Sequence, residues 1–510
     1  MMIDYNLSLS YCSLVLIYNT YNTGHKAVNV ITTTQMKLLY MLYFIVLVIL
    51  MLLIIVGYCS KSDFGIGYRF TLAIPTDYSE GFSGKAYLME TEEMPLNFRT
   101  AMSIDAIDGK YGCSLQVFLG NVMVWSSGHA TKFFTSDTCV LELTKFGDLR
   151  LIGVNDEIGW RTGTSGQGVE KLQLLDTGNL VLVDEKQNIK WQTFNFPTNI
   201  LLMGQRLSVA THLTSFPSNN NTTLFFSFEI QHDKVALYLN SATNKYSYWE
   251  FHSFDNRNIT FIELSSKGLE LFDDKFRNFS QILSPYHEPI RFLALDNSTG
   301  NLGLYYYSPY KDKFEASFQV LNSTCDLPLA CSSYGICTFS RTCSCIRLLA
   351  RDNNRDSSTT SSNGDCDQGI GVRNDLCAHD DTEIMLELDD ADSLLKNATS
   401  ISDVSKTKCA NSCLNECRCA AALYSSRTRE CMFFDIVRGV KQVNRGSGLS
   451  YLVKVPKKNI GKHKKSGLKK WVLVLVVVAD GIVLFLVLGG LGYFMIWKRR
   501  KRLSNGDCSS

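Results

Sequence analysis

At 510 residues the chain has room for about three or four domains of ordinary size. A net charge of +2 with 20% charged residues excludes the one-signed surface of a nucleic-acid binder and the composition of a solvated disordered polymer. Seventeen cysteines, most of them between Cys325 and Cys431, point to local disulfide loops made in an oxidising compartment.

Residues 1–35 form a polar, unpatterned leader. Met36 and Lys37 then open the apolar run LLYMLYFIVLVILMLLIIV, with small residues near Gly57 and Ser60, so residues 36–60 read as a signal peptide. The run exceeds the usual h-region of about 7–15 residues, which leaves an uncleaved signal anchor open; either form implies the secretory route. Asn220, Asn221, Asn258, Asn278, Asn297, Asn322 and Asn397 each stand two before Ser or Thr with no Pro between. These seven acceptor sequons fall between this run and a second apolar run, agreeing with the cysteines that the intervening region is lumenal and then extracellular.

Residues 61–207 contain an internal repeat. LELTKFGDLRLI from Leu141 and LQLLDTGNLVLV from Leu172 share leucines at matching positions around the turns Gly147-Asp148 and Gly178-Asn179, each the pattern of a two-strand unit with one buried face. Trp160 and Trp191 follow at the same spacing, and Trp125 supplies a third member. An aromatic residue recurring once per unit reads as a shared core, because Trp gains most from burial, and the architecture is all-β with pseudo-threefold symmetry. This pattern resembles the bulb-type (monocot mannose-binding) lectin domain, a β-prism of three sheets around such tryptophans. WQTFNFPTNILLMGQRL from Trp191 resembles the segment closing that domain in S-locus glycoproteins and G-type lectin receptors. The resemblance places Leu175, Thr177, Asn179, Val181 and Val183 where the family's mannose site carries Gln, Asp, Asn, Val and Tyr. Only Asn179 and Val181 match. The other copy offers Thr144, Phe146, Asp148, Arg150 and Ile152, none of them kept. Leucine and phenylalanine cannot replace hydrogen bonds to sugar hydroxyls, so the site is expected to be degenerate, with Asn179 a turn residue. Cys113 and Cys139, alone in this region, are expected to form an internal staple.

Residues 208–320 remain β-like, and LALDNSTGNLGLYYY from Leu293 resembles the second, degenerate lectin-like domain of S-locus glycoproteins. In residues 321–366 a tight cysteine series lacks the paired CxxC spacing that zinc favours and resembles an EGF-like module. That likeness implies Cys325–Cys337 and Cys331–Cys343 disulfides, leaving Cys345–Cys366. Residues 377–455 resemble a PAN/apple domain, implying Cys409–Cys431 and Cys413–Cys419, with Cys377–Cys417 as the remainder. Cys409, Cys413 and Cys417 at i, i+4, i+8 spacing predict one stapled helix face. In HDDTEIMLELDDAD, Ile384, Leu386 and Leu388 alternate with charges as in a half-buried strand.

A basic stalk, residues 456–470, carries seven lysines and leads to WVLVLVVVADGIVLFLVLGGLGYFMIW, residues 471–497, long enough to span a hydrocarbon core of about 30 Å. Asp480 lies inside this run, where an ionised group is costly and a partner or a neutralising proton is expected. Residues 498–510 are then a short cytoplasmic tail too small for a catalytic domain.

Walker, HExxH and GxSxG patterns are not found, and His129, His212 and His232 have no motif around them. Neither a catalytic residue, a metal nor a cofactor is expected. The expected fold class is mainly β: tandem bulb-type lectin β-prisms, a disulfide-rich EGF-like module, an α+β PAN/apple domain and one C-terminal transmembrane helix. The order of modules resembles the ectodomain of plant G-type lectin S-receptor-like proteins. The resemblance implies a non-catalytic, single-pass type I plasma-membrane protein that recognises an extracellular glycan, peptide or protein, in pollen, cell-wall or defence signalling. A receptor kinase or a second copy bound through the PAN domain would be its partner. The rival reading is a membrane-tethered lectin or decoy that does not signal.

Overall fold

The computed structural model describes residues 63–74, 81–92, 96–107, 109–216, 224–252, 257–346, 366, 383–456, 481, 484 and 486–498. Three antiparallel sheets form the first unit. Sheet one runs Ser83–Glu90, Phe98–Ile107, Lys110–Leu119 and Val122–Ser126, with Phe133–Thr135 also on Lys110–Leu119; sheet two runs Arg69–Ala73, Thr138–Leu143, Leu149–Ile152 and Ile158–Arg161. Sheet three runs Asp63–Gly65, Val169–Leu174, Leu180–Asp184 and Ile189–Gln192. The chain thus lays one strand into sheet three, one into sheet two and the next into sheet one, then completes the sheets in the reverse order.

The second unit repeats this winding. Ile200–Leu202, Arg206–Ser208 and Leu213–Thr214 each start a different sheet. Phe225–Ile230, Lys234–Asn240 and Lys245–His252 complete the sheet begun by Leu213–Thr214, Phe261–Ser265, Gly268–Phe272 and Asn278–Leu283 the one begun by Arg206–Ser208, and Ile290–Leu295, Leu302–Ser308 and Lys313–Gln319 the one begun by Ile200–Leu202. Residues 200–208, which by sequence close the first unit, are hydrogen-bonded into the second: Leu201 pairs with Leu293 and Leu207 with Ile262. The 207/208 boundary of the sequence reading therefore falls inside the second unit. The local pattern of leucines suits either core, and only register assigns them.

Trp125, Trp160 and Trp191 come from the last strand of each sheet in the first unit and meet with ring centroids 6.1, 6.0 and 5.8 Å apart, every pair edge-to-face. Such geometry places the positive ring edge on the negative face and contributes about 0.5–1.5 kcal/mol per pair beyond area burial. Leu141, Leu143, Leu149, Leu151, Leu172 and Leu182, the repeated leucines, are fully buried around the triangle.

The cysteine-rich region is continuous with the C-terminal unit. Its hairpin, Gly335–Cys337 with Cys343–Cys345, pairs in parallel with Val440–Gln442, which pairs with Ala391–Ser393. The EGF-like hairpin and the PAN-like region, read separately in the sequence, thus share a sheet. A second sheet (Glu383–Asp389, Leu449–Pro456, Ala421–Ser425, Glu430–Phe434, Thr399–Ile401) packs against helix α1, Lys406–Asn415. Ser405 caps α1, its hydroxyl accepting from Lys408 N. Disulfides join Cys113–Cys139, Cys325–Cys337, Cys331–Cys343, Cys345–Cys366, Cys409–Cys431 and Cys413–Cys419. Cys417 is disulfide-bonded, while Cys377 lies outside the described residues. One expectation fails here: α1 ends at Asn415, so Cys409 and Cys413 are buried on the helix but Cys417 lies beyond it. Glu416 is already extended, and the disulfide between Cys413 and Cys419, six positions apart, turns the chain away.

One hydrophobic cluster runs from Leu201 in the second three-sheet unit through Ile336 of the hairpin to Val455. Residues 486–498 are helical and largely exposed. Among the described residues no helix is long and apolar enough to cross a membrane; Asp480 lies outside them, with residues 1–62 and 457–480.

Candidate functional site

The repeated turns place Asn179 and Asp148 at equivalent positions, each directly after a glycine at φ +81° or +83°. The glycines are required: a Cβ on Gly178 would lie 2.3 Å from the Phe98 ring, and one on Gly147 2.7 Å from the Val169 side chain. Asn179 is buried, and its Oδ1 accepts from Thr193 Oγ1 (3.1 Å) and Phe194 N (3.3 Å), while Nδ2 donates to Gln192 Oε1 at 2.8 Å. Asp148 Oδ1 likewise accepts from Thr162 Oγ1 (3.1 Å) and Gly163 N (2.8 Å). Both residues therefore grip the strand that carries the tryptophan.

The residue two after each tryptophan completes the clamp. The hydroxyls of Ser127, Thr162 and Thr193 accept from the backbone N–H of Leu115, Leu149 and Leu180 at 3.0, 3.1 and 3.0 Å. This is the physical content of the repeated W-x-(S/T) signal: one hydroxyl per sheet satisfies a buried amide beside the tryptophan triangle.

Of the five positions aligned with a sugar site, Val181 and Val183 are 1% and 3% exposed, Asn179 is tied internally, Leu175 is half-buried and Thr177 is exposed. Thr177 Oγ1 accepts from Asn179 N at 3.4 Å. In the other copy Arg150 pairs with Glu142 at 2.7 Å, Ile152 is buried, and Phe146 is exposed. The structure does not bring a set of free hydrogen-bonding groups together at either place.

The outer face of sheet one differs. Ser103, Ser114, Gln116 and Ser126 lie in register across it, and a cavity of about 130 Å³ opens there beside Asp105, Lys132 and Phe216. Gln116 Nε2 donates to Ser114 Oγ at 2.9 Å, whereas the buried Ser103 hydroxyl has no protein partner. Sequence comparison of the two leucine repeats missed this face, because its turn, Ile107 to Lys110, lacks their leucine pattern.

A second cavity, about 430 Å³, lies where the Thr243-Asn244 turn meets the C-terminal unit, and is lined also by Thr399, Glu416, Arg418, Phe433 and Asp435. An aromatic wall with carboxylates, a guanidinium and hydroxyls suits a ligand with both a flat apolar face and hydrogen-bonding edges. The acidic strand has a structural role instead: Glu387 and Asp389 both pair with Lys406 of α1, and Asp389 accepts from Ser450 Oγ at 2.7 Å. Hydrogen bonds from Ser450 first, and then the Lys406 charge, outweigh burial and hold the Asp389 carboxyl below its ordinary range. Among the described residues no group of His, Cys, Asp and Glu is arranged to hold a metal ion.

Residues 122–218 match the D-mannose binding lectin family and residues 389–454 the PAN domain family. A G-type lectin S-receptor-like serine/threonine-protein kinase of Arabidopsis thaliana is 26% identical over 65% of this chain and 40% of its own length. A PAN domain-containing protein of the same plant is 25% identical over 75% of this chain and 74% of its own length. The chain thus carries a lectin-family segment and a PAN-family segment, and it is similar to these S-receptor-like and PAN domain-containing proteins over 65% and 75% of its length. A monocot mannose-binding lectin of Gastrodia elata covers 26% of this chain at 21% identity with a TM-score of 0.17, too low to weigh in the comparison. The chain spans 40% and 48% of two S-receptor-like kinases it matches, so it corresponds to less than half of those relatives. The lectin match takes in Trp125, Trp160 and Trp191 and runs on through the strands Ile200–Leu202, Arg206–Ser208 and Leu213–Thr214 that are paired into the second unit.

Of the sequon residues, Asn258, Asn278, Asn297, Asn322 and Asn397 are exposed, and Asn220 and Asn221 lie outside the described residues. Asn397 Nδ2 donates to Ser247 Oγ at 2.8 Å, and Asn297 Oδ1 accepts from Phe216 N at 3.0 Å.

Proposed function

We propose that this chain is a non-catalytic extracellular recognition protein, held at the plasma membrane through residues 471–497, that passes ligand binding to a kinase-bearing partner. The supporting observation is the internal commitment of the lectin positions: Asn179 is bonded to Gln192 and Thr193, and Val181 and Val183 are buried. A groove whose polar groups bond one another has nothing left to discriminate mannose hydroxyls. Ligand recognition is then assigned to the cavity lined by Thr243, Asn244, Glu416, Arg418 and Phe433, to which two modules contribute. A glycan and peptide array probed with the secreted ectodomain tests this. Mannose retention comparable to a bulb lectin, or ligand retention unchanged in E416Q/R418A, would refute it. Crosslinked recovery of membrane kinases with the tagged full chain tests the signalling half.

The polar cavity on sheet one, lined by Asp105, Ser114, Gln116 and Ser126, favours a second reading, a tethered lectin or decoy that binds sugar there without signalling. Loss of array binding in S114A/Q116A, with E416Q/R418A unaffected, would select it.

A further inference from the structure

Phe276 is placed where the chain's own fold has little use for it. Its side chain is 68% exposed and its backbone sits at φ +58°, the left-handed region that bulky residues rarely adopt. The turn is imposed by Asp273, which is 3% exposed: its Oδ1 accepts from Lys275 N (3.0 Å) and Arg277 N (2.9 Å), its Oδ2 from Arg277 Nε (2.9 Å), and its carbonyl from Phe276 N (3.1 Å). Glycine would make this turn without strain and without exposing an aromatic ring.

Two residues later Asn278 opens the edge strand Asn278–Leu283, within the sequon Asn278-Phe279-Ser280. Register puts Asn278 opposite Phe272 and Phe272 opposite Phe261, so the three share one face of the sheet. The Phe261 ring stacks on Phe272 at 4.8 Å and lies 5.5 Å from Phe276. An aromatic platform therefore adjoins the acceptor amide. Among the seven sequons after the first apolar run this alone has an aromatic residue two places ahead; the others have Ser218, Asn219, Asn256, Leu295, Val320 and Leu395.

We propose that Asn278 carries an N-linked glycan whose first N-acetylhexosamine packs its C–H face on the Phe276 ring, clamping the Asp273–Arg277 turn. The C–H edges of a pyranose carry slight positive charge and meet the negative face of the ring, while both surfaces leave water. In the transfer, Asn278 Nδ2 bonds to C1 of the sugar as the C1–O bond to a polyprenyl-diphosphate donor breaks; Nδ2 gives up one proton and the lipid diphosphate leaves. Nδ2 keeps its second hydrogen and so retains the bond it donates to Glu270 Oε2 at 3.0 Å. The glycan then covers this outer face of the second unit, which directs partners elsewhere on the molecule.

The test is made on the full chain from a secretory host. Glycopeptide mass spectrometry reads occupancy at Asn278, and thermal unfolding compares F276A with its parent in the glycosylated and the S280A backgrounds. Occupancy is expected, with F276A lowering the midpoint by about 2–4 °C more in the glycosylated chain than in S280A. F276G, which relieves the backbone, should raise the midpoint in S280A but not in the glycosylated chain. If S280A is not secreted, the same comparison is made before and after enzymatic removal of the glycan from folded protein. An unmodified Asn278, or equal effects of F276A in both backgrounds, overturns the proposal.

Discussion

Tyr246 and Asp435 exchange hydrogen bonds in both directions across the junction of the second three-sheet unit and the PAN domain: the phenol donates to Oδ1 at 2.7 Å and accepts from the Asp435 amide at 3.1 Å. Ser241 and Thr243 each donate to Oδ2 at 2.7 Å, so one carboxylate gathers three hydroxyls from a segment about 190 residues earlier. Burial pushes this carboxyl up, but the hydroxyls outweigh it and hold it below its ordinary range. Burial raises the Tyr246 phenol, which is kept as a donor.

Replacing Asp435 by Ala leaves the hydroxyls of buried Tyr246, half-buried Ser241 and exposed Thr243 without their acceptor and is expected to cost about 2 kcal/mol at this junction. Calorimetry of the ectodomain should show the second unit and the PAN domain melting together in the parent and separately in D435A. Separate transitions already present in the parent would show that the junction does not couple them.

The tryptophan triangle and its clamps make a graded series. W191A removes a buried ring shared by two edge-to-face pairs and is expected to cost about 3–5 kcal/mol, whereas T162A and T193A each leave one buried amide without its acceptor, about 1–2 kcal/mol. Urea unfolding followed by tryptophan fluorescence, read on the clamp variants, and by circular dichroism for W191A, measures both. A W191A loss below that of T193A would contradict the assignment of the triangle as the core of the unit.

Lys454 is 4% exposed and closes the end of α1: its Nζ donates to the carbonyls of Leu414 (3.2 Å) and Glu416 (3.3 Å) and pairs with Glu383 at 3.2 Å. A buried cation on the negative end of a helix satisfies carbonyls that have no intrahelical partner. K454M keeps the packing and removes the donors, and is expected to cost about 2–4 kcal/mol and to raise protease cleavage around Leu414. Unchanged denaturant midpoint and unchanged cleavage in K454M would show that water replaces the ammonium.

His129 is expected to make the junction between the two three-sheet units sensitive to pH. Its Nε2 meets Thr214 Oγ1 at 2.7 Å, its ring sits edge-to-face on Phe216 at 4.3 Å, and its buried Nδ1 has no partner. Burial pulls the imidazole down to about 4, against a smaller upward pull from Thr214. Between an unfolded value of about 6.5 and this folded value only the unfolded chain takes the proton. The contribution is therefore whole above about pH 6.5 and declines toward pH 4, by roughly 3 kcal/mol. The melting temperature of the parent should fall more steeply from pH 7 to 4.5 than that of H129F; parallel slopes would remove His129 as the cause.

Much of the first unit was legible because its core is periodic. Trp125, Trp160 and Trp191 recur with their leucines at a spacing that a three-sheet repeat requires, and clustered cysteines with few alternatives suggest their own loops. The aligned sugar positions were legible only as chemistry. That Leu175 and Thr177 replace hydrogen-bonding residues is visible in the sequence; that Asn179 is bonded to Gln192 and Thr193 is not, since it depends on a strand thirteen residues on being in register. The i, i+4, i+8 spacing of the cysteines overextended α1, because spacing states which residues share a helix face but not where the helix stops.

What the sequence by itself determined was the set of modules and their cores: repeated leucines and tryptophans, an oxidised cysteine-rich region, and acceptor sequons. These depend on local spacing and on side-chain chemistry, which a linear pattern records. Tertiary structure decided which unit owns residues 200–208, that Ile336 lies beside Val440 in a shared sheet, that Asp435 collects the hydroxyls of a distant turn, and that Phe276 stands beside Asn278 on an aromatic face. Each of these is a pairing between segments whose own preferences are satisfied in several ways, and burial and hydrogen-bond register between distant strands choose among them.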